Sequence, residues 1–394
     1  IEDMMSLGLG IKPKIQQLCF GFKILLAKLC VHELNDKQFL FISMQGRSFS
    51  DNPKALSDYI ESIDANAIIV WAFDSISYDK YKGLCKHCVK IGSVAYYKIL
   101  LSSHYVITNQ RLVYKEYPVK SKGQIYLQMW HGTALKRIEA DIVGLGSIIE
   151  KYAKPDSAKI DLFTSNSNYM SNIYKHSFWY DGEVYETGTP RNDIFFKHKD
   201  EFYKDKIRKC LGIKGNSKIL LYAPTFRGTT NSFEKYDIDI RKLVEAIKHK
   251  FGGDWTLVLR LHPRLVCKEN EKVVAKKFPN AIDASMYPDI MELLVGADIL
   301  MTDYSSTMFD FMYTGRPCIL YTKDREEYDR GFYLSLEELP FINIKSNDLI
   351  EEAIKKFDEV TYLEKVKNFL FKIGSVEDGH ASERIYKLLN NYGK

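Results

Sequence analysis

No apolar run in the 394-residue sequence reaches the roughly 20 residues that a helix needs to cross a bilayer. The nearest approach, Ile15 to Val31, is broken by Lys23 and Lys28, and no small-residue cleavage site follows closely enough to suggest a signal peptide. The sequence also lacks a G-x-G-x-x-G turn, a G-x-x-x-x-G-K-[ST] loop and a D-x-D pair at a strand end. No cofactor is firmly implied, and Mg²⁺, though compatible with the chemistry, is not indicated by any acidic metal motif. Cysteine is scarce and scattered: seven residues, an odd number, do not make the disulfide framework of a small secreted domain and suit a reducing cytoplasm. Cys85 and Cys88 form one C-x-x-C pair with no second pair to complete four zinc ligands. A strong surplus of one charge is missing too. With 56 basic and 51 acidic residues the net charge is +5, far from the basic stripe that a nucleic-acid partner requires.

What is present reads as a soluble α/β protein of 45% hydrophobic and 27% charged residues, long enough for two domains. Short apolar runs alternate with helical stretches. A first series comprises Gln38–Ser43, Asn66–Phe73, Tyr105–Thr108, Ile125–Trp130, Ile160–Ser165 and Glu183–Gly188. A second comprises Lys218–Pro224, Thr256–Pro263, Ala281–Ser285, Ala297–Asp303 and Pro317–Thr322. Strands of this kind suit parallel sheets covered on both faces. The pattern predicts two facing Rossmann-like, doubly wound domains, residues 37–195 and 196–345, with a cleft between them and a charged linker near Asn192 to Asn216. Helices over 346–394 are expected to pack back across the domains.

Residues 1–36 read as a helical segment. Leu18, Phe22, Leu25, Leu26 and Leu29 recur at helical spacing, with Lys12, Lys14, Lys23 and Lys28 around them. Two readings stand side by side: an interfacial helix on an anionic membrane, and a helix packed on the first domain.

In such folds ligands bind beyond the carboxyl ends of the strands, and polar residues cluster there. His131 and Gly132 follow one strand of the first series, and His262 follows one of the second. A single histidine at a strand end is more often structural than catalytic; two on opposed faces point to chemistry. Asp303, Ser305 and Ser306 follow another strand where a helix should start at Ser305, a place that caps the helix and also suits a phosphate. Thr225, Arg227, Arg260 and Arg264 lie at neighbouring strand ends and can add charge-assisted bonds to a diphosphate. Asp310, four residues after Ser306, faces either the same cleft or an intrahelical partner.

The segments "WHGTALK", "TGTPRND", "YAPTFRG", "LRLHP", "TDYSSTMFDF" and "DGHASERI", in that order from about Gln124 to Ile385, resemble the CDP-glycerol glycerophosphotransferases of teichoic acid priming and polymerisation. No such motif marks the first 120 residues. The resemblance implies a GT-B-like fold and a cytoplasmic enzyme, peripheral on the inner face of the cell membrane. It implies CDP-glycerol, or CDP-ribitol, as donor and a hydroxyl of a lipid-linked or growing polymer, of teichoic acid or capsule type, as acceptor. The family's two active histidines fall on His131, as general base, and His262, stabilising charge on the diphosphate. Thr225, Arg227, Arg260, Arg264, Asp303, Ser305, Ser306 and Asp310 are then expected to bind the donor, and Gly132, Thr133 and Arg191 to touch the acceptor or support the site. A sugar-nucleotide glycosyltransferase or epimerase, or a binding protein without activity, are the other classes this fold accommodates.

Overall fold

The computed structural model describes residues 11–112, 117–144, 146–225, 237–261, 276–326 and 331–392, with the side chains of 11–19 and of residue 147 outside that description. Two parallel sheets organise it. The first has seven strands in the order β3-β2-β1-β4-β5-β6-β7: β1 (Asn35–Ile42), β2 (Ile68–Phe73), β3 (Cys88–Lys90), β4 (Ser103–Thr108), β5 (Ile125–Gln128), β6 (Leu162–Ser165) and β7 (Val184–Glu186). The second has six in the order β10-β9-β8-β11-β12-β13: β8 (Lys218–Tyr222), β9 (Trp255–Leu259), β10 (Ile282–Asp283), β11 (Ile299–Thr302), β12 (Cys318–Tyr321) and β13 (Ile342–Ile344). In each sheet the strand order reverses once, between β1 and β4 and between β8 and β11, which opens a crevice at the carboxyl ends there.

The sequence makes these strands by filling both faces. Along β1, Phe39 and Phe41 enter one apolar cluster while Leu40 and Ile42 enter another, as the two-residue period of a strand dictates. Along β8, Ile219 and Leu221 point to one side, Leu220 and Tyr222 to the other. Each sheet is therefore sandwiched between two apolar layers, and helices supply their outer halves.

Several sequence expectations change in detail. Two short edge strands, β3 and β13, were not expected; Cys88 of the C-x-x-C pair opens β3. The stretch read as a linker contains a helix, Asp200–Leu211, that buries Ile207 in the second domain's core. Its apolar positions are too few among its charges to show as a period. The helix expected from Ser305 begins at Thr307 and runs to Phe311, with Ser306 at its cap.

The last helices join the domains. Tyr362, Val366, Phe369 and Ile373 of the helix Glu359–Ile373 belong to a second-domain core layer. The chain then crosses over: Gly374 accepts from the Asn168 amide at 3.2 Å, and the Val376 amide donates to Asn166 at 3.0 Å. Both carboxylate oxygens of Asp193 accept from the first amides of the helix Ala381–Asn391, Ala381 and Ser382, each at 2.9 Å. That helix buries Ile385 and Leu389 against Leu56 and Ile60 of the first domain.

Near the other end, the helix Ile11–Cys30 shows two faces. Phe20, Ile24 and Ala27 pack on the first domain, with the Phe20 ring edge-on to Tyr97 at 5.7 Å. Phe22, Leu25 and Leu29 lie on the open side, 61%, 56% and 66% exposed. Among the described residues no helix is long and apolar enough to cross a membrane.

Candidate active site

The His131 loop leaves β5 through a sharp turn, with Trp130 and Gly132 both at positive φ, 51° and 118°. Three bonds hold it. The Trp130 amide donates to Gln128 Oε1 at 2.9 Å, and Asn52 Nδ2 donates to the Trp130 carbonyl at 2.9 Å. His131 Nδ1 lies 2.9 Å from the carbonyl oxygen of Asn109, the residue that follows β4. A carbonyl only accepts, so Nδ1 carries a hydrogen, and in the neutral imidazole the lone pair is then on Nε2. That is the tautomer a base needs, fixed by its neighbour. The Trp130 ring lies beside the imidazole at 4.1 Å, tilted by 35°, and buried Thr133 is held by Asn166 Nδ2 at 2.9 Å.

Beyond His131 the loop reaches the other domain. Leu135 to Arg137 runs antiparallel to Gly331 to Tyr333: the Arg137 amide donates to Gly331 at 2.8 Å and the Tyr333 amide to Leu135 at 2.8 Å. The Tyr333 hydroxyl accepts from the Ile138 amide at 3.2 Å and donates to Asp141.

The facing side comes from β8, β9 and β11. Asp303, after β11, is buried and accepts the Thr225 amide on both oxygens, at 3.1 and 3.0 Å, and the Tyr304 amide at 2.6 Å. It ties the β8 loop to the β11 loop. Thr302 Oγ1 adds a bond to the Ala223 carbonyl at 2.7 Å. Ser305 Oγ lies 3.0 Å from Thr307 Oγ1, while Ser306 makes no side-chain cap bond and its Oγ turns toward the first domain, 3.6 Å from where a Cβ on Gly132 would stand. Arg260 Nη1 donates to the carbonyls of Ala284, at 3.0 Å, and Tyr287, so that arm of the guanidinium shapes the loop after β10. Burial lowers the Arg260 pKa, with Asp289 pulling the other way.

Asp310 was expected at the donor or in an intrahelical bridge. Its carboxylate accepts from Arg191, Nη2 to Oδ2 at 2.7 Å, across the domain boundary. Arg191 Nη1 donates to Asp51 Oδ2 at 2.8 Å and the Arg191 amide to Asn52 Oδ1 at 3.2 Å. Burial opposes the charge on Arg191, but Asp310 and Asp51 outweigh it and hold the guanidinium firmly protonated. Burial also keeps the Asp310 carboxyl above the ordinary carboxylate range, with Arg191 pulling against it. Nearby, Asp289 caps the helix Ile290–Gly296 through the Met291 amide at 2.9 Å. Its pKa is pushed up to about 6 by burial and by the carboxylates of Glu292 and Asp51, against the Met291 amide and Arg260.

Arg227, His262 and Arg264 lie outside the described residues. Among the described residues, no three His, Cys, Asp or Glu side chains converge as metal ligands. Asp51, Asn52, Asn109 and Asp289 were missed in the sequence. Asn109 was within reach of the same rule that found His131, a polar residue directly after a strand. A cavity of about 770 Å³ lined by Tyr180, Tyr185 and Tyr392 lies at the amino ends of β6 and β7, the opposite end of the sheet from His131.

Two Rossmann-like domains that meet where the Gly132 backbone lies beside Ser306 make a GT-B-like fold. The CDP-Glycerol:Poly(glycerophosphate) glycerophosphotransferase family matches residues 24–391, beginning about a hundred residues before the first recognisable motif, and the chain belongs to that family. It is 32% identical over 390 residues to the teichoic acid glycerol-phosphate transferase of Staphylococcus aureus, covering 95% of this chain and 97% of that protein. It is 31% identical over 382 residues to the teichoic acid poly(glycerol phosphate) polymerase of Staphylococcus epidermidis, covering 91% of this chain but about half, 52%, of that relative's length. The structure of the wall teichoic acid polymerase TagF superposes with a TM-score of 0.80 at 28% identity, covering 96% of this chain and 95% of that one.

Proposed function

We propose that the protein transfers glycerol phosphate from CDP-glycerol to a hydroxyl of a lipid-linked or growing polymer acceptor in teichoic acid synthesis, releasing CMP. The observation that carries this is His131: its Nδ1 is committed to the Asn109 carbonyl, and its loop faces Ser306 across the domain boundary. Nε2 takes the proton of the acceptor hydroxyl as its oxygen forms a bond to the phosphorus that bears glycerol. The bond from that phosphorus to the bridging oxygen breaks, and the electron pair leaves with CMP. A positioned base of this kind supplies about 10²- to 10⁴-fold. Thr225, Ser305 and Ser306 take the donor's phosphates, with Arg227, Arg260, His262 and Arg264 balancing the charge that gathers on the leaving group. Family membership and the likeness to TagF, of which a variant has been solved after a CDPG soak, support this donor.

The lipid-linked acceptor requires access to a membrane surface. Phe22, Leu25 and Leu29, three and four residues apart, form one exposed stripe on a helix whose other face is docked. In this reading the stripe dips into the inner face of the cell membrane, with exposed Lys28 meeting anionic headgroups. The deciding experiment offers CDP-glycerol, CDP-ribitol and UDP-sugars in turn with a lipid-linked acceptor. Release of CMP from CDP-glycerol is expected; UDP release from a UDP-sugar alone would replace this reading with glycosyl transfer.

A further inference from the structure

Arg191 belongs to neither domain's sheet. It lies in the turn Pro190–Phe196, where the chain passes from one domain toward the other, and it is 8% exposed. One arm of its guanidinium reaches Asp51 at the start of the first-domain helix Asp51–Ile63; the other reaches Asp310 in the second-domain helix Thr307–Phe311. The backbone of Gly132 rests against the same fork: a Cβ there would overlap Nη2 of Arg191. Asn52, which takes the Arg191 amide on its oxygen, gives its nitrogen to the Trp130 carbonyl one residue before His131. Arg191 Nε is buried without a partner among the described residues. Two buried charges, a third partly buried and one unmet N–H are a poor way to add stability. A planar fork that bonds one carboxylate per arm is a good way to fix the distance between them.

We propose that Arg191 is a positioning residue that clamps the two domains in register for transfer, seating the His131–Gly132 loop against the helix that Ser306 precedes. It acts through the loop and does not touch the donor. The proposal rests on the reading of His131 as the base.

The test uses the full chain and the variants Arg191→Ala, Arg191→Lys and Asp310→Asn. It measures kcat and KM for CDP-glycerol, donor affinity by calorimetry, and amide exchange at Leu135–Arg137 and Gly331–Tyr333. Arg191→Ala is expected to lower kcat about 100-fold, the scale of an ångström of misplacement. Donor affinity should stay within about threefold, the interdomain amides should exchange faster, and added guanidinium should restore roughly tenfold of the lost rate to Arg191→Ala while leaving Asp310→Asn unchanged. Arg191→Lys, which cannot span both carboxylates, should fall between the two and carry the test if the alanine variant does not fold. Wild-type kcat in Arg191→Lys, or donor affinity falling in step with kcat, overturns the proposal. If the wild-type protein turns over no CDP-polyol, the functional reading has failed, and unaltered exchange in the variants separately rejects the clamp.

Discussion

The carbonyl oxygen of Asn109 and Nδ1 of His131 meet at 2.9 Å between the ends of adjacent strands β4 and β5. This bond orients the imidazole and places a hydrogen on Nδ1. His131→Ala should lower kcat by about 10²- to 10⁴-fold with the melting temperature and donor affinity preserved. CMP release under saturating donor measures it. A rate within a few-fold of wild type would remove His131 from the chemistry.

Gly132→Ala tests the space beside it. The residue sits at φ 118°, where a side chain is strained, and its Cβ would meet Arg191. We expect a loss of about 1–3 kcal/mol in stability, from the conformation and the forced displacement, and a fall in kcat. Chemical denaturation with parallel rate measurements gives both numbers.

Asp289→Asn separates charge from capping. Asparagine caps a helix as well as aspartate does, so the bond from the Met291 amide persists while the titration disappears. In the wild type a carboxyl raised to about 6 binds its proton more tightly folded than unfolded. Its ionisation therefore costs stability as pH rises from about 4 to about 6, and the full cost is present above that. The asparagine variant should be more stable by about 1–2 kcal/mol at pH 8, a figure reduced for partial solvent access, and equal to wild type near pH 4. Melting curves at both pH values decide the matter; a constant difference would mean that Asp289 does not titrate as described.

The exposed and docked faces of the helix Ile11–Cys30 give opposite outcomes. Phe22→Glu with Leu25→Glu should abolish sedimentation with anionic vesicles, a binding that also weakens as salt rises, while changing stability by no more than about 0.5 kcal/mol. Ala27→Glu, at a fully buried site, should destabilise by roughly 3 kcal/mol or more. If the wild-type protein never binds such vesicles, the stripe serves another contact.

The two-sheet architecture was legible because its signals are local. Alternation at Phe39 to Ile42 and the apolar runs ending at Tyr222, Leu259 and Thr302 fix strands with few neighbours involved. Three-residue edge strands such as Cys88–Lys90 are too short to show a period, and pairing to β2 alone defines them. Asp310 was read from its place four residues after Ser306, and its bond to Arg191 was not legible there. Its partner lies 119 positions earlier, and no spacing rule relates the two. For the first helix, a hydrophobic pattern merges the docked residues Phe20, Ile24 and Ala27 and the exposed residues Phe22, Leu25 and Leu29 into one signal.

The crossing of the chain from Gly374 back to Asn168 has a bearing on how the protein is made. The first domain's covering helix, Ala381–Asn391, is encoded almost two hundred residues after Asp193, which caps it. At about 5–20 residues per second, a ribosome leaves the face formed by Leu56 and Ile60 bare for roughly ten seconds or more after its strands have emerged. During that interval the nascent domain presents an apolar surface that the helix Ala381–Asn391 later covers.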